Sequence, residues 1–468
     1  MGLARLRQRL SAAVGRARST GQGVLAAVTV PLAPGVDPSA VVARGRAGGE
    51  PWFCLEQRDR DGAALAGLGC ATALEEHGPE RFARVSRRWS ALAAAAHCDA
   101  PDAGPGSGLV AVGGFAFAHE GGATRHWRGF APASLHVPEI ALARRGGELR
   151  LTVAALVGAG DDADIVLARL QARLAALDPA AELPLWDPDP VGTFAVESAM
   201  PPEHYEGAVA RGVERIRAGV LAKIVLAREV QVHAPTDHDP AAILGILREG
   251  FPSCFVFCVG RGDSAFVAAS PELLIRREGM RATTLALAGS TARSADPAVD
   301  AHLGERLLRS SKDREEHAIV VRRLARALRD HALWVAESPE PVVVKVANIQ
   351  HLATPIRAQL SQPVPAVRLA GLLHPTPAVG GEPWAEASPL IPELEGLDRG
   401  WYAGPVGWTD TNEDGEFCVA LRSALLSGPV ARLYAGVGVV RDSDPPAELA
   451  ETEVKLRALL PVLGAERT

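Results

Sequence analysis

The sequence predicts a mixed α/β (α+β) protein. Three observations carry that reading: short β-branched and apolar runs divided by glycine turns, several stretches with apolar residues at helical spacing, and enough hydrophobic residues for a large core. Of 468 residues 47% are hydrophobic and 22% charged, and the net charge is -6. This is an ordinary globular balance without the basic field that nucleic acid requires, so a small-molecule or protein partner is expected and nucleic acid is not. The length is generous for one domain, although a large two-layer unit can absorb it.

The chain opens on the arginine-rich stretch MGLARLRQRLSAAVGRARSTGQGVLAAV. Its apolar part is too short and interrupted for a signal peptide or membrane span, which leaves a frayed basic helix, no membrane partner and a cytoplasmic location as the expectation. The six cysteines (Cys54, Cys70, Cys98, Cys254, Cys258, Cys418) follow no zinc or disulfide spacing, as fits a reducing compartment. CDAPDAGPGSG (98–108) and the proline-rich 177–205 stretch read as connections. Between them GLVAVGGFAFAHE and LHVPEIALARRGGELRLTVAALVG read as strands, followed by a helix from Asp161 to Leu177. Residues 1–200 thus form a strand-rich part without a chemical motif, and 201–468 carry the chemistry.

A helix from Glu203 to Ala218 leads into LAKIVLAREV, where Ile224 to Ala227 form an apolar run that predicts a strand buried on both faces. CFVFCVG, SAFVAAS and ELLIRREGMRATTLALAGS continue as strands. SSKDREEHAIVVRRLARALRD places His317, Val321, Leu324 and Leu328 at helical spacing, with Ser310 or Ser311 as cap. PVVVKVANIQHLATP, GWYAGPVGW, EFCVALRSALL and ARLYAGVGVV read as strands, and DSDPPAELAETEVKLRALL as a closing helix.

Several side chains in this region invite chemistry, each beside a plainer reading. Lys223 shares a strand face with Val225 and Ala227, so its amine is either desolvated, with a lowered pKa and able to act as a base, or snorkels to water. Asp313 with Glu316, and Glu448 with Glu451, are i, i+3 pairs in the first turns of two helices. If the helices meet, the four carboxylates suit a hard cation such as Mg²⁺; otherwise they simply favour helix N-termini, with Glu451 paired to Lys455. Gly436 and Gly438 inside a strand mark a bulge or a close backbone approach, whose N–H groups can hold a carboxylate. Arg422 within an apolar strand demands an anion, either a ligand or a structural partner. Glu272 in SPELLIRR is an acid with a raised pKa or a turn residue, and His351 in QHLATP is a catalyst or a hydrogen-bonded core histidine. The chain has no P-loop, no GxGxxG after a strand, no HExxH and no nucleophile elbow.

The blocks AKIVLAR, SPELLIRR, LALAGSTAR, KDREEHAIVV, QHLATPI, HPTPAVGG, DRGWYAGPVGW, FCVALRSALL, YAGVGVV and ELAETEVKL follow one another across residues 221–460. In this order they resemble the chorismate-utilising enzymes, which share the anthranilate synthase component I fold, and are most similar to isochorismate synthases. GGFAFAHE and LHVPEIAL extend a fainter likeness to the N-terminal part. The resemblance implies two large, mostly antiparallel sheets packed together with helices outside and the active site deep between them. It also implies roles. Lys223 resembles the base that activates water for attack at ring carbon C2, and Glu272 the acid that protonates the departing C4 hydroxyl. Glu316 and Glu451 resemble direct Mg²⁺ ligands, with Asp313 and Glu448 acting through water. Arg422 and the backbone at Gly436 and Gly438 match positions that bind substrate carboxylates, while Gly289, Ser290, Tyr402 and His351 line the pocket.

The ammonia-using relatives usually carry glutamine where this chain has Lys223, and the aminodeoxychorismate enzymes carry PIKGT where it has LALAGS. The expectation is therefore an isochorismate synthase of menaquinone or siderophore biosynthesis, acting as a monomer without a glutamine amidotransferase subunit. Salicylate synthases share the lysine and add pyruvate elimination, so they remain the alternative. A non-catalytic binding protein on the same fold is the reading from a different class.

Overall fold

The computed structural model describes residues 2–187, 191–346 and 349–464. Two large sheets and eleven α-helices account for the regular structure among them. The ladders within both sheets are antiparallel. One sheet has twelve strands and the other ten. Each draws on both sides of residue 200: Phe255–Arg261 pairs with Trp52–Gln57 in the first, and Pro405–Asp410 with Val110–Phe115 in the second. One apolar cluster runs between them, with Phe53, Phe115, Trp401 and Phe417 fully buried.

The strand that begins at Lys223 lies near one edge of the larger sheet. Lys223–His233 pairs along its length with Val430–Val439, and its first two residues pair on the other side with Gly381–Glu382. Lys223 to Ala227 are all buried, as the unalternating apolar run predicts. Helix Ser311–Arg329 starts where the serines place it, because the Ser310 side chain accepts from Asp313 N. Its buried stripe runs through His317, Val320, Leu324 and Leu328, with Val321 turned partly outward. Helix Pro445–Leu456 starts behind an Asp444 cap that accepts from Ala447 N.

Three expectations change. The N-terminal stretch is a packed helix, Gly2–Thr20, whose Leu6, Leu10, Ala13, Val14 and Ala17 lie buried against strand Val24–Leu32, while Arg5 and Arg9 reach Asp99. The apolar spacing was present, and a sheet face supplies the partner that an isolated basic helix lacks. EFCVALRSALL is two strands in different sheets: Gly415–Val419 belongs to the smaller and Ser423–Ser427 to the larger, with Arg422 at the crossing, at φ 50°. GWYAGPVGW is a tight turn carrying Tyr402, followed by strand Pro405–Asp410. The PVVVKVANIQHLATP reading resolves into strands Val342–Lys345 and Ile349–Leu360, with 347 and 348 outside the described residues. No helix among the described residues is long and apolar enough to cross a membrane.

Leu10 has no exposed surface. Leu10→Ala is expected to destabilise the fold by about 3 kcal/mol in urea titrations; a change under about 0.5 kcal/mol would show that the helix docks without contributing to stability.

Candidate active site

Antiparallel partners point to the same face of a sheet, so the face that carries Lys223, Val225 and Ala227 is shared by Gly438, opposite Val225, and Gly436, opposite Ala227. The register there is regular and no bulge occurs. The glycines serve close approach instead. A Cβ at Gly438 would lie 2.2 Å from Glu316 Oε1 and 2.8 Å from Lys223 Cε, so only a hydrogen leaves room for both side chains. The bulge falls at Gly289, where the pairing of Arg281–Ala292 with Ile349–Leu360 shifts and φ is +75°. There a Cβ would press on Asp313 at 3.1 Å.

Lys223 is fully buried, and its Nζ lies 2.8 Å from Glu316 Oε1. The pair is electrostatic, without the alignment of a hydrogen bond, and Nζ has no other hydrogen-bond partner among the described residues. The amine thus does not snorkel to water. Glu272, 2% exposed, follows Pro271 between strands Ser264–Ser270 and Leu273–Glu278. Burial pushes its carboxyl up to about 8 against the opposing pull of Lys223, so it is protonated at neutral pH.

Glu316 and Asp313 come from one helix and Glu448 and Glu451 from the other, and all four line a single pocket with Lys223's neighbour Val225 and with Glu272. Two more lysines enter. Lys312 Nζ donates to Glu448 Oε1 at 2.9 Å, and Lys455 Nζ is 2.9 Å from both Glu451 Oε1 and the Gly436 carbonyl oxygen. Ser290 Oγ donates to Glu451 Oε1 at 2.8 Å. Burial raises Asp313 and Glu448 above the ordinary carboxyl range despite the donors facing them. Glu451 feels burial too, but Lys455, Ser290 and Lys312 outweigh it and hold it below that range. No three His, Cys, Asp or Glu side chains among the described residues converge closely enough to form a ready cation cage.

The rest of the lining includes cationic and aromatic side chains. Arg422 donates through Nη2 to His351 Nε2 at 3.1 Å, and His351 Nδ1 donates to the Gly289 carbonyl at 3.3 Å, which fixes a neutral Nδ1–H tautomer. Burial, then the Arg422 and Lys455 charges, push that imidazole well below its usual value. Tyr402 stacks on Tyr434 with centroids 5.1 Å apart, and burial lifts its phenol to about 12. Arg399 is held by Glu395 and donates to the carbonyl oxygens of Val379 and Val225, both of which line the pocket, while Glu395 Oε1 accepts from Ala227 N at 2.7 Å. The site therefore places a buried amine near a protonated carboxyl, and gathers carboxylates with guanidinium and hydroxyl donors around one pocket.

Glu272, Glu316, Asp313, Glu448, Glu451, Arg422, Gly436, Gly438, Tyr402, His351, Gly289 and Ser290 all line this pocket, and Lys223 lies directly behind it against Glu316. Sequence reasoning missed Lys312, Tyr434 and the Ala378–Val379 segment, and treated Lys455 only as an ion-pair partner. The period of two from Gly436 would have found Tyr434; nothing local marks the other three.

Residues 9–464 match the profile of the chorismate binding enzyme family. The salicylate biosynthesis isochorismate synthase of Pseudomonas aeruginosa is 38% identical over 462 residues, covering 98% of this chain and 94% of that protein. The isochorismate synthase MenF of Bacillus subtilis is 36% identical over 77% of this chain and 76% of its own. The solved structure of MenF, the menaquinone-specific isochorismate synthase from Escherichia coli, matches with a TM-score of 0.78 at 27% identity, covering 97% of this chain and 100% of that one.

A carboxyl that is protonated when folded but ionises near 4.5 when unfolded stabilises the fold fully below about pH 4.5, and that contribution is lost as pH rises through about 8. Glu272→Gln should flatten the fall in stability across this window, by on the order of 5 kcal/mol, in urea unfolding at a series of pH values. An unchanged pH slope would mean that Glu272 is ionised at neutral pH.

Proposed function

The chain belongs to the chorismate binding enzyme family, and from that premise we propose that it is an isochorismate synthase, with Lys223 as general base and Glu272 as general acid. The observation that carries the assignment is the pairing of a fully buried lysine with a buried carboxyl held protonated to about 8, both set against one pocket. Such a pair is what a displacement of one hydroxyl by another requires. Lys223 takes a proton from water as its oxygen bonds to C2 of chorismate. The ring double bonds shift, the C4–O bond breaks, and the Glu272 proton joins the departing hydroxyl to give water. One water enters and one leaves, and proton exchange with solvent returns Lys223 and Glu272 to their starting states. The step is an isomerisation and needs no oxidant or second substrate.

Chorismate carries two carboxylates, which fits a pocket with Arg422, Lys455 and Lys312 among its donors. The Arg422–His351–Gly289 chain holds the guanidinium in place, and Tyr402 and Tyr434 offer an aromatic surface to the ring. The four carboxylates fit a magnesium ion. Mg²⁺ takes only one or two protein carboxylates and completes its shell with water and substrate oxygens, so a three-residue cage is not needed. The buried carboxyls raised by their surroundings, Asp313 and Glu448, are also a set that gains from a cation. Glu316 and Glu451 would hold the ion, with Asp313 and Glu448 nearby through water. Its chemistry would be to fix and neutralise the ring carboxylate of the substrate. In this proposal the product feeds quinone or siderophore synthesis, and the protein acts without an amidotransferase subunit.

Purified protein incubated with chorismate should yield isochorismate without salicylate or pyruvate by liquid chromatography and mass spectrometry, with turnover falling above pH about 8 as Glu272 ionises. Lys223→Ala should lower that turnover by roughly 10²–10⁴-fold. Stoichiometric pyruvate would move the protein to the salicylate synthases, and an active Lys223→Ala variant would remove the lysine from the chemistry. Chelation should abolish turnover and added Mg²⁺ restore it; full activity in excess chelator would remove the ion from the scheme.

A further inference from the structure

A second cavity, ≈ 850 Å³, opens on the far side of the segment that follows His374, whose Ala378 and Val379 line the active site. It has the volume of a small-molecule site. Its walls are apolar and aromatic: Phe117 meets Trp384 edge to face at 5.8 Å and His374 at 5.9 Å, and Phe82 meets His374 at 5.8 Å. Pro389, Pro392 and Ile391 complete one side.

The charges around it do not balance. Asp398 is consumed by the backbone N–H groups of Gly122, Thr124 and Gly400, Glu395 is held by Arg399, and Glu120 lies at the exposed rim beside His119. His374 donates to the Phe117 carbonyl and is kept neutral by burial, its pKa pushed down to about 3. Arg81 is different. The residue is 5% exposed, it has no carboxylate partner among the described residues, and its Nε has no acceptor. Nη2 donates to the Ala116 carbonyl at 2.9 Å and to the Phe117 carbonyl at 3.5 Å, and the guanidinium lies over the Phe82 ring at 4.9 Å. Burial pushes its pKa down to about 10 with no acidic group to oppose it. Arg81 is also the first residue of helix Arg81–Ala95, whose cap residue, the exposed Glu80, makes no side-chain hydrogen bond to the helix and whose first turn holds no acidic residue. A buried, uncompensated cation and an uncapped helix N-terminus therefore sit together in a cavity with aromatic walls, and both favour an anion.

We propose that this cavity is a second, non-catalytic binding site for a small aromatic monocarboxylate, its ring against Phe117, His374 and Trp384 and its carboxylate on Arg81. A single uncompensated charge selects a monoanion, and the neutral His374 adds none. Arg399, whose guanidinium lies 4.1 Å from the Phe117 ring, lines this cavity and donates to the carbonyls of Val225 and Val379, which line the active site.

The test is a fluorine NMR titration of the full-length protein with para-fluorophenylacetate, with and without saturating chorismate. Saturable binding that chorismate does not displace is expected, weakened about tenfold or more by Arg81→Gln. Ser388→Glu, on the half-exposed helix face lining the cavity, should weaken it similarly by repulsion, and Ser388→Lys should retain or strengthen it. Because Ser388 is not buried, these two variants keep the test decisive if Arg81→Gln fails to fold. Absence of saturable binding, displacement by chorismate, or indifference to the charge at Ser388 would overturn the proposal. None of these outcomes depends on which reaction the active site performs.

Discussion

A lysine with no exposed surface must either find a counter-charge or give up its proton, and the arrangement around Lys223 follows from that requirement. Glu316 approaches its Nζ to 2.8 Å only because the residue opposite Val225 is Gly438. The register of Lys223–His233 against Val430–Val439 is therefore set by chemistry as well as by core packing. A slip of one residue would bring Val437 or Val439 to that point and fill the space. The sheet tolerates two glycines in one strand because the volume they vacate is occupied by Glu316 and Lys223 at Gly438 and by Tyr402 at Gly436.

The same logic extends outward. The two helices that bring Asp313, Glu316, Glu448 and Glu451 to the pocket both begin at side-chain caps, so Asp313 and Glu448 stand in first turns where the helix dipole favours them, while Glu316 and Glu451 lie one turn further along. Burial would still be costly without donors, and Lys223, Lys312 and Lys455 each face one of them. Arg422 reaches the pocket from the point where the chain crosses between sheets. Its left-handed backbone, at φ 50°, is the strained turn that aims the guanidinium at His351.

Arg399 and Glu395 tie these parts together. Through backbone donors and acceptors at Val225, Ala227 and Val379 they hold the strand that starts at Lys223 and the loop that closes the pocket. The aromatic cavity behind that loop uses the same arginine as a wall, so the two cavities are separated by a few residues of fixed backbone.

The sequence alone determined the elements whose signals are local: the doubly buried strand at Lys223, the capped helices that carry the carboxylate pairs, and, through the ordered family blocks, the two-sheet fold. It misread what depends on partners distant in the chain. The N-terminal helix was legible as a helix but not as a packed one, because the strand face covering it cannot be seen from its own residues. Helix Trp384–Glu395 went unassigned, since Pro389 and Pro392 inside it argue locally against a helix and tertiary packing overrides them. At the site, the carboxylates, Lys223, Glu272 and Arg422 could be named from motifs, yet each left two readings open. Only the tertiary structure supplied their surroundings, because desolvation and ion pairing are properties of what lies around a side chain: it buried Lys223 against Glu316, held Glu272 protonated, drew Lys312 and Lys455 to the carboxylates, and made Gly438 a space for Glu316 instead of a bulge.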